Sequence, residues 1–386
     1  VAVFTALVDR RTPLSLPWAV PAGKFSGQVI VAAALYRSAV PQKSSTSPEL
    51  LPVSALSEAG LLARIFPRLA LGKPHTDATL LGPGDDAAII AAPDGRTVIS
   101  IDTQIQDQDF RLVWPNGYRT TGFDVGWKAA AQNLSDINAM GATPTSLVVS
   151  LTLPPETPVS WVEALADGLV AGIKELGATR CSVAGGDLGR GSEIGVTVAV
   201  LGSLDGGAPV LRSGARPGDV LAIAGTVGHA AAGLALLESD NALQGLTPEQ
   251  RLFLERQCRP QPPLSAGPAA RLAGATAMLD ISDGLLRDGL RMATASGVAL
   301  DLDPARLAVL AEGLAPAVEL LGTDPSGWVL GGGEDHGLLA TFPAGIQLPA
   351  GFTAIGSIEA LGIEESPVVR IAGRAADTGG WDHFAD

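Results

Sequence analysis

Aspartates standing in glycine-rich turns, at strand ends or on a helix near its apolar stripe are the residues of this chain most able to do chemistry: Asp85, Asp86, Asp102, Asp136, Asp187, Asp280 and Asp283. Residues 82–90 read GPGDDAAII, so Asp85 and Asp86 share a turn made by Gly82, Pro83 and Gly84. The β-rich run Thr97–Ile101 delivers Asp102 at its end. Asp187 lies in the glycine-rich stretch CSVAGGDLGRG, and Asp280 and Asp283 bracket DISDG at a strand-to-helix junction. There Ser282 and the helix N-terminus could offer donors to a phosphate, although an ordinary N-cap is the commoner use of such residues. The stretch GGGEDH, residues 331–336, is again glycine-rich and acidic. Carboxylates are hard oxygen ligands that favour Mg²⁺ over zinc or copper. Mg²⁺ retains waters and binds through one or two carboxylates plus substrate phosphates. The pattern therefore points to metal-dependent handling of a nucleotide or another phosphate.

Two competing phosphate motifs fail. Gly82, Gly84 and Ala87 imitate the dinucleotide fingerprint, with Asp102 as the ribose-binding acid. However, Pro83 lacks an N–H, and two carboxylates would face the anion. At ~4 Å each such pair repels by about 4 kcal/mol at an effective dielectric near 20. The sequence also contains no Walker A motif and no kinase-type glycine loop with its lysine. Metal ions would take the place of those lysines.

The acids need rigid elements to hold them. Residues 126–140 carry apolar side chains at Trp127, Ala130, Ala131, Leu134, Ile137 and Met140, which predicts a helix. It puts Asn133 and Asp136 side by side, with Asp136 near the apolar stripe, where a carboxylate wants a metal or a partner. Helices are also predicted over 60–71, 161–176, 228–237 and 285–295, and strands over 146–153, 193–204, 219–225 and 275–284. The apolar run 87–92 reads as a strand. Without strict β-α-β alternation, these elements predict an α+β protein.

Composition narrows the function further. At 386 residues the chain can form two domains with an aliphatic core. Its net charge of −14 disfavours nucleic acid and anionic membranes as partners. Two cysteines without a CxxC pattern argue against a disulfide scaffold or zinc site and fit a reducing compartment, predicting a cytoplasmic protein. No apolar run reaches the ~20 residues of a membrane helix. Residues 1–54 are proline-rich and are expected to be a disordered or loosely attached leader. Domains are expected over 55–208 and 209–386.

The ordered set GDDAA, SID (100–102), NLSDINAMGA (133–142), AGGD (184–187), LRSGARPGD (211–219), DISDGL (280–285), GGGED (331–335) and GWDHF (380–384) closely resembles the thiamine-monophosphate kinase family. The resemblance implies a two-domain fold like aminoimidazole-ribonucleotide synthetase: a mixed β-sheet and helix domain, then a C-terminal α+β domain. It also implies a homodimer formed through the N-terminal domains, and the reaction of ATP with thiamine monophosphate to give thiamine diphosphate and ADP. Several Mg²⁺ ions would be held by Asp86, Ser100, Asp102, Asp136, Asp187, Asp280 and Asp283. ATP would meet Gly186, Asp187, Arg212 and Ser282. Asp109, Glu334 and Trp381 would lie on the acceptor side, and Asp136, Asp283 and Arg212 would carry the transfer.

The acceptor side departs from the family pattern. Asp107-Gln108-Asp109-Phe110 stands where the family usually has Gly-x-His-Phe, and Glu334-Asp335-His336-Gly337 where it has Glu-Asp-Tyr-Glu. Rival readings are an ATP-dependent ligase or cyclase of the same superfamily, and a non-catalytic nucleotide-binding protein. A selenophosphate synthetase would need a reactive cysteine near its first glycine-rich loop, and a hydrogenase-maturation relative a C-terminal cysteine; this chain has neither.

Overall fold

The computed structural model describes residues 51–69, 78–82, 87–240 and 243–377, all within the unit Ser47–Asp386. Asp85, Asp86, Trp381 and leader residues 1–50 lie outside the described residues. Of the expected leader, Leu51 and Val53 pack on the core, and the Val53 N–H donates to Thr157 O at 2.8 Å.

In chain order the first half holds α1 (Glu58–Leu69), β1 (Thr79–Leu81), β2 (Ile89–Ile90) and β3 (Val98–Ile105). Then come α2 (Gly122–Ala139), β4 (Thr143–Leu153), α3 (Val159–Glu175), β5 (Ser182–Arg190) and β6 (Gly195–Ser203). The apolar run 87–92 contributes only the short β2, whereas β3 continues past Ile101 to Ile105. A four-stranded sheet runs β3-β6-β4-β5. Val196, Val198 and Val200 of β6 are buried, whereas Ile99 and Ile101 of β3 are exposed.

Helix α2 starts at Gly122 rather than Gly126, because Thr121 and Asp124 form a capping box. Glycine brings α2 close to α3. A Cβ on Gly126 would stand 2.0 Å from Leu165 O, and one on Gly168 would stand 2.0 Å from Phe123 O. Backbone meets backbone there, so the sheet-side and outer helices pack without intervening side chains. The other side of α2 meets the second half of the chain. Trp127 Nε1 donates to Pro260 O at 2.8 Å, and the Asn138 amide bonds Pro263 O and the Gly267 N–H. Packing on both sides explains why Lys128, Asn133, Ser135 and Asn138 are buried along with its apolar stripe.

The second half comprises β7 (Val220–Ala224), α4 (His229–Glu238), α5 (Pro248–Cys258), α6 (Ala266–Leu272), β8 (Ala277–Ile281), α7 (Leu285–Ser296) and β9 (Ala299–Leu302). It continues with α8 (Pro304–Glu312), α9 (Ala315–Leu321), α10 (Ser326–Gly331), β10 (Gly337–Phe342), β11 (Phe352–Glu359), β12 (Val368–Ile371) and β13 (Arg374–Ala375). Its seven-stranded sheet has the order β13-β12-β9-β11-β7-β10-β8. Both faces of its centre are covered. Leu221 and Ile223 point into one core cluster, Ala222 and Ala224 into another with Met278 and Phe342. That double burial gives the near-continuous apolar runs of β7, β8 and β10. The observed class is α+β, as expected.

Candidate active site

Four elements converge where the halves meet. On β3, Ser100 and Asp102 occupy alternate positions and share a face, which α2 covers. From α2, Asp136 accepts a hydrogen bond from Ser100 Oγ. From the end of β8, Asp280 enters from the second half and is buried. Its Oδ2 accepts from Ser135 Oγ at 3.0 Å and lies 3.3 Å from His336 Nδ1. Asp102, Asp136, Asp280 and His336 thus form one electrostatic group.

Burial raises the Asp102 pKa, with the Asp280 charge adding to the rise and His336 opposing it. The Asp136 carboxyl is pushed up to about 7, first by burial and then by the charges of Asp280 and Asp102. Burial disfavours the His336 imidazolium, but its bond to Asp280 and the charges of Asp280, Glu334 and Asp102 outweigh burial, so its pKa is raised. Three crowded carboxylates with one histidine leave a deficit of positive charge, which a hard cation would fill. Among the described residues no group of three acidic, histidine or cysteine side chains is arranged to hold an ion unaided.

The DISDG junction is organised by a residue that the motif reading passed over. Asp288 of α7 is buried, and its Oδ2 accepts the N–H groups of Ser282 at 3.0 Å and Asp283 at 2.8 Å. The backbone donors expected to meet phosphate therefore already have an internal acceptor. Arg291 ties the junction together, pairing with Asp283 at 2.6 Å and Asp288 at 2.5 Å. Gly284 permits the bend: its φ is +114°, and a Cβ would come 2.6 Å from Gly331 O.

Glu334, Asp335 and His336 turn in three directions. Glu334 and His336 are left-handed, with φ of 65° and 54°. Between them the buried Asp335 accepts from Thr226 Oγ1 at 2.7 Å and from the Ala230 N–H of α4 at 3.2 Å. Glu334 reaches α2 and α5: its Oε1 is 2.5 Å from Lys128 Nζ, and its Oε2 accepts from Gln257 Nε2 at 2.5 Å. Asp109 closes a turn on itself, Oδ2 accepting the Ile105 N–H at 2.7 Å, while its carbonyl accepts from Lys128 Nζ at 3.2 Å.

Other predicted residues stand apart in this chain. Gly186 and Asp187 lie on β5, at the sheet edge opposite β3. The register runs Asp102–Val198–Val149–Gly186, so three strand spacings of about 4.8 Å separate the ends. Gly186 and Asp187 border an apolar cavity of about 60 Å³ between α1, α3 and β4–β5. Arg212 is exposed, and its carbonyl accepts from Ser296 Oγ at 3.1 Å.

The fold and this acid group define an α+β protein of the AIR-synthase type. Residues 84–204 match the family of the AIR synthase related protein, N-terminal domain. A thiamine-monophosphate kinase of Mycobacterium tuberculosis is 47% identical over 294 residues, covering 76% of this chain and 84% of that protein. The crystal structure of thiamine-monophosphate kinase from Stenotrophomonas maltophilia K279a superposes with a TM-score of 0.68 at 32% identity, covering 83% of this chain and 98% of that one. AaThiL complexed with AMPPCP and TMP superposes at 0.66 and 28% identity, covering 88% and 100%. The chain belongs to the thiamine-monophosphate kinase family.

Proposed function

We propose that this protein transfers the terminal phosphoryl group of ATP to the phosphate of thiamine monophosphate, releasing thiamine diphosphate and ADP. The observation that carries this reading is the meeting of Asp102, Asp136 and Asp280 from both halves, with the Glu334 arm beside them. The acceptor is a phosphate oxygen already ionised near neutral pH, so the reaction needs no general base. Its obstacle is the approach of two anions. We assign Asp102, Asp136 and Asp280 to Mg²⁺ as partial ligands beside water and substrate phosphate, with Ser100 and Asp283 near them and Asp187 taking a metal from its separate place on β5. When bound, Mg²⁺ supplies charge neutralisation and alignment for an in-line transfer.

The chain's own residues provide the frame. Ser135 and His336 fix one oxygen of Asp280, leaving the other for a ligand. Ser100 orients Asp136. Arg291 and Asp288 keep the Asp283 loop in place. Asp86 and Trp381 are assigned to metal and thiamine, Gly186, Ser282 and Arg212 to ATP. A homodimer fits the apolar Ile99 and Ile101, exposed on β3. None of the described helices is long and apolar enough to cross a membrane, and we assign the protein to the cytoplasm.

The test is ADP formation with acceptor and metal varied independently. ADP release that requires both thiamine monophosphate and Mg²⁺ supports the reading. Release independent of the acceptor, or none with it, refutes it.

A further inference from the structure

Lys128 is an anomaly in its helix. It is buried beside the apolar stripe of α2, on the side of Ser135, with its side chain 5% exposed. Its ammonium joins three segments. It pairs with Glu334 Oε1 at 2.5 Å, donates to Asp109 O at 3.2 Å, and projects from the helix that bears Asp136. Gln257, 3% exposed on α5, grips the other oxygen of Glu334 at 2.5 Å. Glu334 itself is left-handed, with a side chain 34% exposed. A glutamate at an exposed loop ordinarily samples many rotamers. Here both oxygens are tethered from inside, and the outer edge of the carboxylate stays open.

That arrangement suits recognition of a cation. A carboxylate accepts up to about four hydrogen bonds or contacts, so two internal tethers leave capacity for an incoming positive group. We propose that Lys128 and Gln257 are positioning residues for the acceptor: they hold Glu334 as the counter-charge for the cationic ring of thiamine monophosphate. This rests on the kinase reading and adds the residues that set acceptor affinity apart from ATP affinity.

The test uses the full chain. Steady-state rates with each substrate varied in turn, and calorimetric titration with thiamine monophosphate alone, are compared for wild type, Lys128→Met, Gln257→Leu, Glu334→Gln and the Lys128→Met/Glu334→Gln double variant. The expected results are a tenfold or larger rise in KM for thiamine monophosphate in Lys128→Met and about threefold in Gln257→Leu. KM for ATP stays within twofold, and the titrated Kd rises in parallel. The double variant is no worse than Glu334→Gln, because the residues act as one unit. Equal losses for both substrates, additive losses, or an unchanged acceptor KM overturn the proposal. Should Lys128→Met fail to fold, Gln257→Leu decides by the same criteria. A wild-type protein that makes no ADP with thiamine monophosphate overturns the kinase reading itself; active wild type with unaltered variants overturns only this inference.

Discussion

Ser135 and Asp280 are 145 positions apart in sequence, and the Ser135 hydroxyl donates to the Asp280 carboxylate at 3.0 Å across the junction of the two halves. Both are buried, and Ser135 precedes Asp136 on α2. This bond locks one acid of the second half against the helix that carries an acid of the first. A buried hydrogen bond to a charged group contributes about 1.5–3 kcal/mol. Ser135→Ala is therefore expected to lower the unfolding free energy by about that amount and to weaken Mg²⁺ binding several-fold. Denaturant unfolding and Mn²⁺ titration by electron paramagnetic resonance check both effects.

Asp136→Asn should trade activity for stability. In the folded chain burial and the neighbouring acids push the Asp136 carboxyl up to about 7, from an ordinary 3.8. The unfolded chain releases its proton first, so this group costs stability increasingly from about pH 4 to 7, and the cost is constant above that. The amide removes it. At pH 8 without metal, Asp136→Asn is expected to be more stable by about 1–3 kcal/mol while losing at least a hundredfold in kcat. Calorimetry beside steady-state kinetics decides; a less stable but active variant contradicts the assignment.

His229 predicts a second pH effect, away from the acids. Its ring packs on Phe253 with centroids 5.3 Å apart, and its Nδ1 is buried without a hydrogen-bond partner. Burial first, then the Arg256 charge, lower its pKa from 6.5 to about 4. Between those values the unfolded chain takes the proton before the folded one. Stability should thus fall as pH drops from about 6.5 to about 4, by on the order of 2–3 kcal/mol from this group. Urea midpoints at pH 7.5 and 5 are expected to differ less in His229→Leu than in wild type.

Gly126 tests the helix contact that sets the depth of α2. An added methyl would sit 2.0 Å from Leu165 O, a backbone atom that cannot rotate away. Gly126→Ala should cost about 3 kcal/mol or more, the upper range for overpacking, despite the better helix propensity of alanine. A neutral or stabilising result would mean that α2 and α3 separate easily.

Much of the site was legible because chemistry imposes residue type. Asp102, Asp136 and Asp280 stood out as acids at strand ends or on an apolar helix face, and they meet in the fold. Lys128, Gln257 and Asp288 did not stand out, because their roles depend on partners 77 to 206 positions away or on a loop they cap from within a helix. Helix α5 was signalled by Thr247 and Gln250, which form a capping box, but its apolar residues lack a clean stripe. The separation of Asp187 from Asp102 was hidden for another reason. Sequence order places β5 before β6, while the sheet inserts β6 and β4 between β5 and β3.

The most direct test of the central claim is phosphorus NMR of the full chain with ATP, Mg²⁺ and thiamine monophosphate. We predict that the monophosphate resonance of thiamine decays as the paired resonances of a new diphosphate ester grow, in equal amount to ADP and without orthophosphate. Orthophosphate accumulating while thiamine monophosphate persists would contradict direct transfer and point to the ligase or cyclase reading.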